Sequence, residues 1–558
     1  MKRWMLIGSF ATTTPLTIAC QDSNPLAGGG TETTETEGDA SGSETGDPFS
    51  DDPWTDCEVT PGRVGLQRLT RSEYNRTVFD LFGVDSSPAD AFPPDSTTSS
   101  FDNNAGSLTA SPQLVELLLD ASEDVAAVAM STMSDQIVTC DPDQTVDCAR
   151  STLAALALRV YRRPPSPTEL GDLEALVEFA QGEGETFEAS IGLALVGMLM
   201  SPQFLYRNVP GDGAAPLGPG QILGLTDYEV ASRLSYFLWG STPDDSLLAR
   251  AGEGNMGDRE VLRAEFDRML ADPKAAALFD GFFNQWLQLG RLDSATPDAG
   301  AFPLFSEQLR TEMREEMRLF FKGVRDRDAT ALEFITGTQT FANASIAEIY
   351  EATGPTGAWF EPTMLNAERR AGVLTMPAIL TMTSGPTSPN IVRRGVWLAE
   401  AILCAAPPPP AAGVPAEPVP LPGETERERL ERHREDPSCA SCHELIDPLG
   451  FTFENYDAIG MWRETADGLP VDNTGKLPGG EEFAGIVAMA QELATTDAYP
   501  KCITKKMMTY ALGRSLGDRD TCVVSAIAQD TVNEDAGFSD LLWAVVTSDA
   551  FLSRAGEE

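Results

Sequence analysis

A mainly α protein, built of several small helical domains with long irregular connections, is predicted by three observations. Capping signatures recur along the chain, apolar residues recur at helical spacing, and the alternation expected of strands is scarce. The chain has 558 residues, 42% hydrophobic and 22% charged. That is apolar enough to exclude global disorder and long enough for several domains. Against 85 acidic side chains stand 40 basic ones, for a formal net charge of −45. No positive field is available to meet phosphates, which argues against nucleic acid and leaves room for a basic partner. Solubility and tolerance of salt account for the same charge.

Lys2 and Arg3 precede an apolar stretch from Trp4 to Ala19, interrupted at Thr12–Pro15. It is the length of an export signal rather than of a spanning helix. It ends in Leu16-Thr17-Ile18-Ala19-Cys20, and a small residue before a cysteine resembles a bacterial lipoprotein cleavage site. That resemblance implies lipidation of Cys20, although Thr17 stands where leucine is usual. Gln21, rather than aspartate, implies sorting to the outer membrane or cell surface of a Gram-negative bacterium. The longest other apolar run, Ile191–Met200, is too short to cross a bilayer. Residues 21–57 are rich in Gly, Ser, Thr, Asp and Glu, and read as a disordered acidic tether.

Helical punctuation begins after Arg63. Thr70 and Glu73 have the spacing of a capping box, with Leu69 and Tyr74 placed as a hydrophobic staple. Thr226 with Glu229 repeats the device, as does Ser166 with Glu169, where Pro167 takes the first helical position. Leu114, Leu117, Leu118, Ala121 and Val125 share one helix face, and so do Val230, Leu234, Phe237 and Leu238. An internal echo is visible. Ser201-Pro202-Gln203-Phe204-Leu205-Tyr206-Arg207 is similar to Ser548-Asp549-Ala550-Phe551-Leu552-Ser553-Arg554. Upstream of each lie a cysteine, a tyrosine and an arginine: Cys148, Tyr161 and Arg163, then Cys502, Tyr510 and Arg514. One helical unit used twice, or convergent packing of helix ends, explains the echo. Pro407–Pro410, Pro415, Pro418, Pro420 and Pro422 make an extended proline strap.

Of nine cysteines, Cys20 is assigned to lipid and Cys439 and Cys442 to the motif below, which leaves six. An even remainder suits an oxidising compartment. Spacing favours Cys140–Cys148 and Cys502–Cys522, and Cys57 and Cys404 then pair by elimination.

Cys439-Ala440-Ser441-Cys442-His443 is the C-x-x-C-H pattern of covalent haem attachment. Two thiols add to the two vinyl groups on one porphyrin edge, and the next residue sets an imidazole beneath the iron. One covalent haem c is therefore expected, with His443 as proximal ligand. A zinc site from His433, Cys439, Cys442 and His443, or a plain disulfide, uses the same residues. His433 and Met461 are the candidate distal ligands; Met376 and Met382 read more simply as core. Arg393, Arg394 and Arg463 are candidates for haem propionates, with ordinary salt bridges the plainer reading. Asp102-Asn103-Asn104 places oxygen ligands near Gly106 but lacks the spacing of a calcium loop.

Downstream lie Ile446-Asp447-Pro448-Leu449-Gly450-Phe451 and Glu454-Asn455-Tyr456-Asp457. With the haem motif, this run resembles a family of exported multidomain cytochrome-like proteins of planctomycetes and myxobacteria. These are built from five consecutive domains of unknown function, with the c-type haem motif in the fourth. Arg68–Asn75 and Phe101–Asn104 resemble the first domain, Arg159–Pro164 the second and Ala231–Trp239 the third. Arg394–Trp397 and the proline run lead into the fourth, and Tyr510–Arg514 marks the fifth. The expected organisation is a signal at 1–20, a tether at 21–57, and helical domains at 58–130, 131–215 and 216–355. A strap and haem domain at 356–470, including a cytochrome c-like haem segment, and a C-terminal helical domain at 471–558 complete it. One bound haem and no visible catalytic constellation point to electron transfer with a redox partner that the chain does not name. A haem-dependent oxidase or peroxidase with an open iron site, or a non-catalytic surface haem module, stays open as the alternative, and with it whether the protein is an enzyme.

Overall fold

The structure, a computed structural model, describes residues 65–140, 146–207, 221–408, 421–435, 437–466, 468–480, 482–533 and 535–555. The signal, the tether, Cys20, Cys57 and residues 409–420 of the strap lie outside them. The fold is mainly α. Its strands, among the described residues, form five separate two-stranded sheets.

Helices start where the local chemistry directs. Thr70 accepts from the Glu73 backbone at 3.2 Å and Glu73 returns the bond at 2.9 Å, opening the helix Arg71–Phe82. Ser166 and Glu169 open Pro167–Gly182, Thr226 and Glu229 open Asp227–Trp239, and Thr425 and Glu428 open Glu426–His433 in the same way. Each such cap is worth about 1 kcal/mol. The apolar faces also fall where their period puts them: Leu114, Leu118, Ala121 and Val125 are buried, as are Val230, Leu234, Phe237 and Leu238.

Two cores result. The smaller gathers side chains from Leu69 to Leu205, together with Tyr236. The larger runs from Phe101 to Phe551, so the later segments share one interior. Tyr236 joins the two, with its hydroxyl 2.9 Å from that of Thr77 and its ring under the Arg207 guanidinium.

The sequence echo is a structural repeat. Tyr206–Arg207 pairs antiparallel with Gln67–Arg68, just before the helix Arg71–Phe82. Ser553–Ala555 pairs antiparallel with Ile222–Gly224, just before the helix Asp227–Trp239. In one unit Leu69 N donates to Leu205 O at 2.8 Å, and in the other Leu225 N donates to Leu552 O at 2.9 Å. The capping-box glutamates complete the match: Glu73 pairs with Arg207 and Glu229 with Arg554. Upstream, Arg163 grips Glu169, which accepts from Ser166 N, and Arg514 grips Asp520, which accepts from Gly517 N. Each unit thus begins and ends on one small sheet, and the C-x-x-C-H segment is inserted within the second unit.

The Asp102 segment ties together parts of the chain that lie far apart in sequence. Asn103 donates to Tyr510 O at 2.8 Å, Ala105 N donates to Gly513 O, and Gln285 donates to Asp102 at 2.9 Å. Burial pushes the Asp102 carboxyl up to about 6.

The disulfides correct one expectation. Cys140 and Cys148 are bonded as spacing suggests. Cys502, however, is bonded to Cys404, with Cα atoms 5.3 Å apart, and not to Cys522. Cys57–Cys404 is excluded by the same bond, and Cys522 is itself disulfide-bonded elsewhere. Cys502 and Cys522 lie on successive helices, Ala498–Leu512 and Thr521–Thr531, and nearness in sequence does not bring their thiols together. The observed bond instead staples the exit of the helical segment before the proline strap to the last repeat.

Candidate functional site

The C-x-x-C-H pattern lies on the helix Pro437–Phe451. Cys439 and Cys442 are about one turn apart, and His443 follows one turn after Cys439, so all three share a face. Cys439 is buried and Cys442 half-buried, and both remain thiols outside any disulfide. The plain-disulfide alternative is therefore not what is seen. Among the described residues no three His, Cys, Asp or Glu side chains are grouped to hold a metal ion.

His443 Nδ1 lies 2.9 Å from Asp447 Oδ1, one turn further along the helix. A carboxylate only accepts, so the neutral imidazole carries its proton on Nδ1 and keeps the lone pair of Nε2 for a ligand. The Asp447 side chain is fully buried, and its Oδ2 has no hydrogen-bond partner. The Arg434 guanidinium stands 3.8 Å from that oxygen. Two thiols and one oriented imidazole on a single helical face are the donor set that a covalent haem requires.

The other candidate ligands are placed differently. His433 ends the helix Glu426–His433, and its ring meets that of His443 edge-on, with centroids 4.7 Å apart. A flat ring between them would need about 3.5 Å on each face. In this arrangement His433 therefore flanks His443 rather than facing it across a porphyrin. Met461 sits in a turn tied by Asp457, whose carboxylate accepts from Met461 N at 2.9 Å, and it packs against the larger core. Met376 and Met382 are buried core residues.

The helix is held by close backbone packing. A Cβ on Gly450 would stand 2.1 Å from Ile391 O in the neighbouring helix Ile391–Trp397. Leu430 and Phe451 pack with Ile391, and Arg427 lies over the Phe451 ring at 3.9 Å. Arg394 is buried, donating to the carbonyls of Phe453, Tyr456 and Asp457 at 3.0, 2.8 and 2.6 Å. Burial pulls its guanidinium down to about 9. This arginine serves the loop after the helix and, among the described residues, makes no salt bridge to a protein carboxylate. Arg463 bonds to Glu454 O at 2.8 Å, and Arg393 to Ser384 O at 3.2 Å.

Asp447 is the residue that motif reading passed over. Its signal was present, since a carboxylate four positions after a helical histidine lies on the same face.

Comparison with known families follows this layout. The models described as Protein of unknown function DUF1587, DUF1595, DUF1592, DUF1588 and DUF1585 match residues 67–131, 148–208, 225–352, 370–466 and 479–551, in that order. The chain carries these five domains in succession. The DUF1588 segment holds the motif helix, Arg394 and Asp447. DUF1587 and DUF1595 together make the first structural repeat, while DUF1592 and DUF1585 enclose DUF1588 within the second. No curated protein and no solved structure matches the chain.

Proposed function

We propose that the protein is an exported, lipid-anchored c-type cytochrome-like protein that carries one covalent haem and passes single electrons outside the cytoplasm. One observation carries the reading: Cys439, Cys442 and His443 of C-x-x-C-H share one face of the helix Pro437–Phe451, while Asp447 orients His443 through Nδ1. Cys439 and Cys442 would hold the porphyrin edge, and His443 Nε2 would face the iron. When bound, the haem supplies one-electron exchange. The chain's own part is to fix the imidazole and to keep the motif helix rigid through the close contacts of Gly395 with Ile446 and of Gly450 with Ile391. Arg394 secures the loop that follows.

Two described disulfides fit an exported chain. Attachment is proposed through lipid on Cys20 and the 21–57 tether, on the cleavage-site resemblance at Leu16–Cys20; among the described residues no helix is long and apolar enough to cross a membrane. A second reading, an oxidase or peroxidase with an open iron position, is favoured by the flanking place of His433. Rapid binding of carbon monoxide by the reduced protein, or of cyanide by the oxidised protein, selects it.

The decisive test is haem staining after denaturing electrophoresis, with the full chain expressed alongside export and haem-maturation machinery. The band should stain, and Cys439→Ala with Cys442→Ala should abolish the stain. A wild-type band without stain refutes the proposal.

A further inference from the structure

Resting on the haem reading above, we infer that Asp447 is a positioning residue that makes His443 a strongly electron-donating ligand and so sets a low reduction potential for the site. The geometry over-determines this pair. Asp447 is fully buried, and its carboxylate makes one hydrogen bond, from His443 Nδ1 at 2.9 Å. Its second oxygen lacks a hydrogen-bond partner and has the Arg434 guanidinium only at 3.8 Å. Burying a carboxylate so incompletely satisfied is costly, and a fold that needed only a filler would place an apolar side chain there.

What the carboxylate does follows from its charge. A neutral carbonyl accepting from Nδ1–H would orient the ring. A carboxylate also draws the proton toward itself and raises the basicity of Nε2. A more basic ligand stabilises the ferric over the ferrous state, which lowers the potential. Two neighbours adjust the effect. The His433 ring, edge-on to His443 at 84°, limits rotation of the imidazole. Arg434 shares the charge of Asp447 and moderates its pull.

Asp447→Asn keeps the size and one acceptor oxygen while removing the charge. The variant should retain covalent haem, and its redox equilibrium should shift toward the ferrous form at least tenfold, a rise of about 59 mV for a one-electron couple. The iron–imidazole stretch in the resonance Raman spectrum should fall in frequency, a change that loss of a remote charge or a merely structural role would not produce. Arg434→Gln, at a half-exposed position, should shift both readouts in the opposite direction. Should the Asn variant fail to fold, Arg434→Gln alone decides: an unchanged stretch overturns the inference. Covalent haem retained with unchanged potential and stretch in Asp447→Asn overturns it too, and leaves the haem reading standing. A wild-type chain that takes up no haem removes that reading itself, a distinct result.

Discussion

A Cβ on Gly395 would stand 2.0 Å from the carbonyl oxygen of Ile446, inside the motif helix. No real side chain tolerates that distance, so one of the two backbones would have to move. With Gly450 against Ile391 in the reciprocal place, the helices Ile391–Trp397 and Pro437–Phe451 cross backbone to backbone. The motif helix is thus positioned by the absence of side chains at two points.

Gly395→Ala should therefore destabilise the fold by about 3 kcal/mol, the upper range for overpacking a tight interior. Thermal unfolding followed by circular dichroism measures it. A melting temperature equal to that of the wild type would show that the crossing is looser than described.

Stability should depend on pH through Glu316. This residue is fully buried, accepts from Tyr350 at 2.6 Å and Thr340 at 2.8 Å, and is pushed up by burial from 4.5 to about 7. Its other oxygen has no hydrogen-bond partner, as suits a protonated acid. The folded state then holds a proton that the unfolded state has released, so this contribution to stability falls as pH rises from about 4.5 to about 7. Glu316→Gln imitates the neutral acid. It should raise stability at pH 8 by roughly 1–3 kcal/mol while leaving it nearly unchanged at pH 4. Equal melting temperatures for the two proteins at pH 8 would contradict this.

The disulfide pattern has a direct chemical test. In Cys502→Ser the new thiol should be Cys404, with Cys522 still protected, as read by alkylation and peptide mapping under non-reducing conditions. Loss of the bond should cost about 2–4 kcal/mol. Alkylation of Cys522 instead would restore the pairing that spacing suggested.

What was legible in the sequence was whatever closes within a turn or two. The capping boxes at Thr70, Ser166 and Thr226 all form, because donor and acceptor are three residues apart on one helix start. The Asp447–His443 bond belongs to the same class, because four positions along a helix put both side chains on one face. The echo of residues 201–207 at 548–554 was visible as a pattern, whereas its meaning was not. Each copy is a strand that closes on a partner more than a hundred residues earlier, and no local signal names that partner.

By itself, then, the sequence determined a mainly helical chain with its helix starts, its apolar faces and a single C-x-x-C-H segment. Periodicity and capping act over a few residues, and the motif's chemistry is contained in five. Tertiary structure alone decided that Cys502 meets Cys404, that Arg394 collects three backbone carbonyls, that His433 leans on His443, and that Gly395 gives way to Ile446. Each of these joins groups brought together only when distant segments pack. Such contacts depend on how the whole chain resolves its burial and backbone hydrogen bonding, which no local window of residues contains.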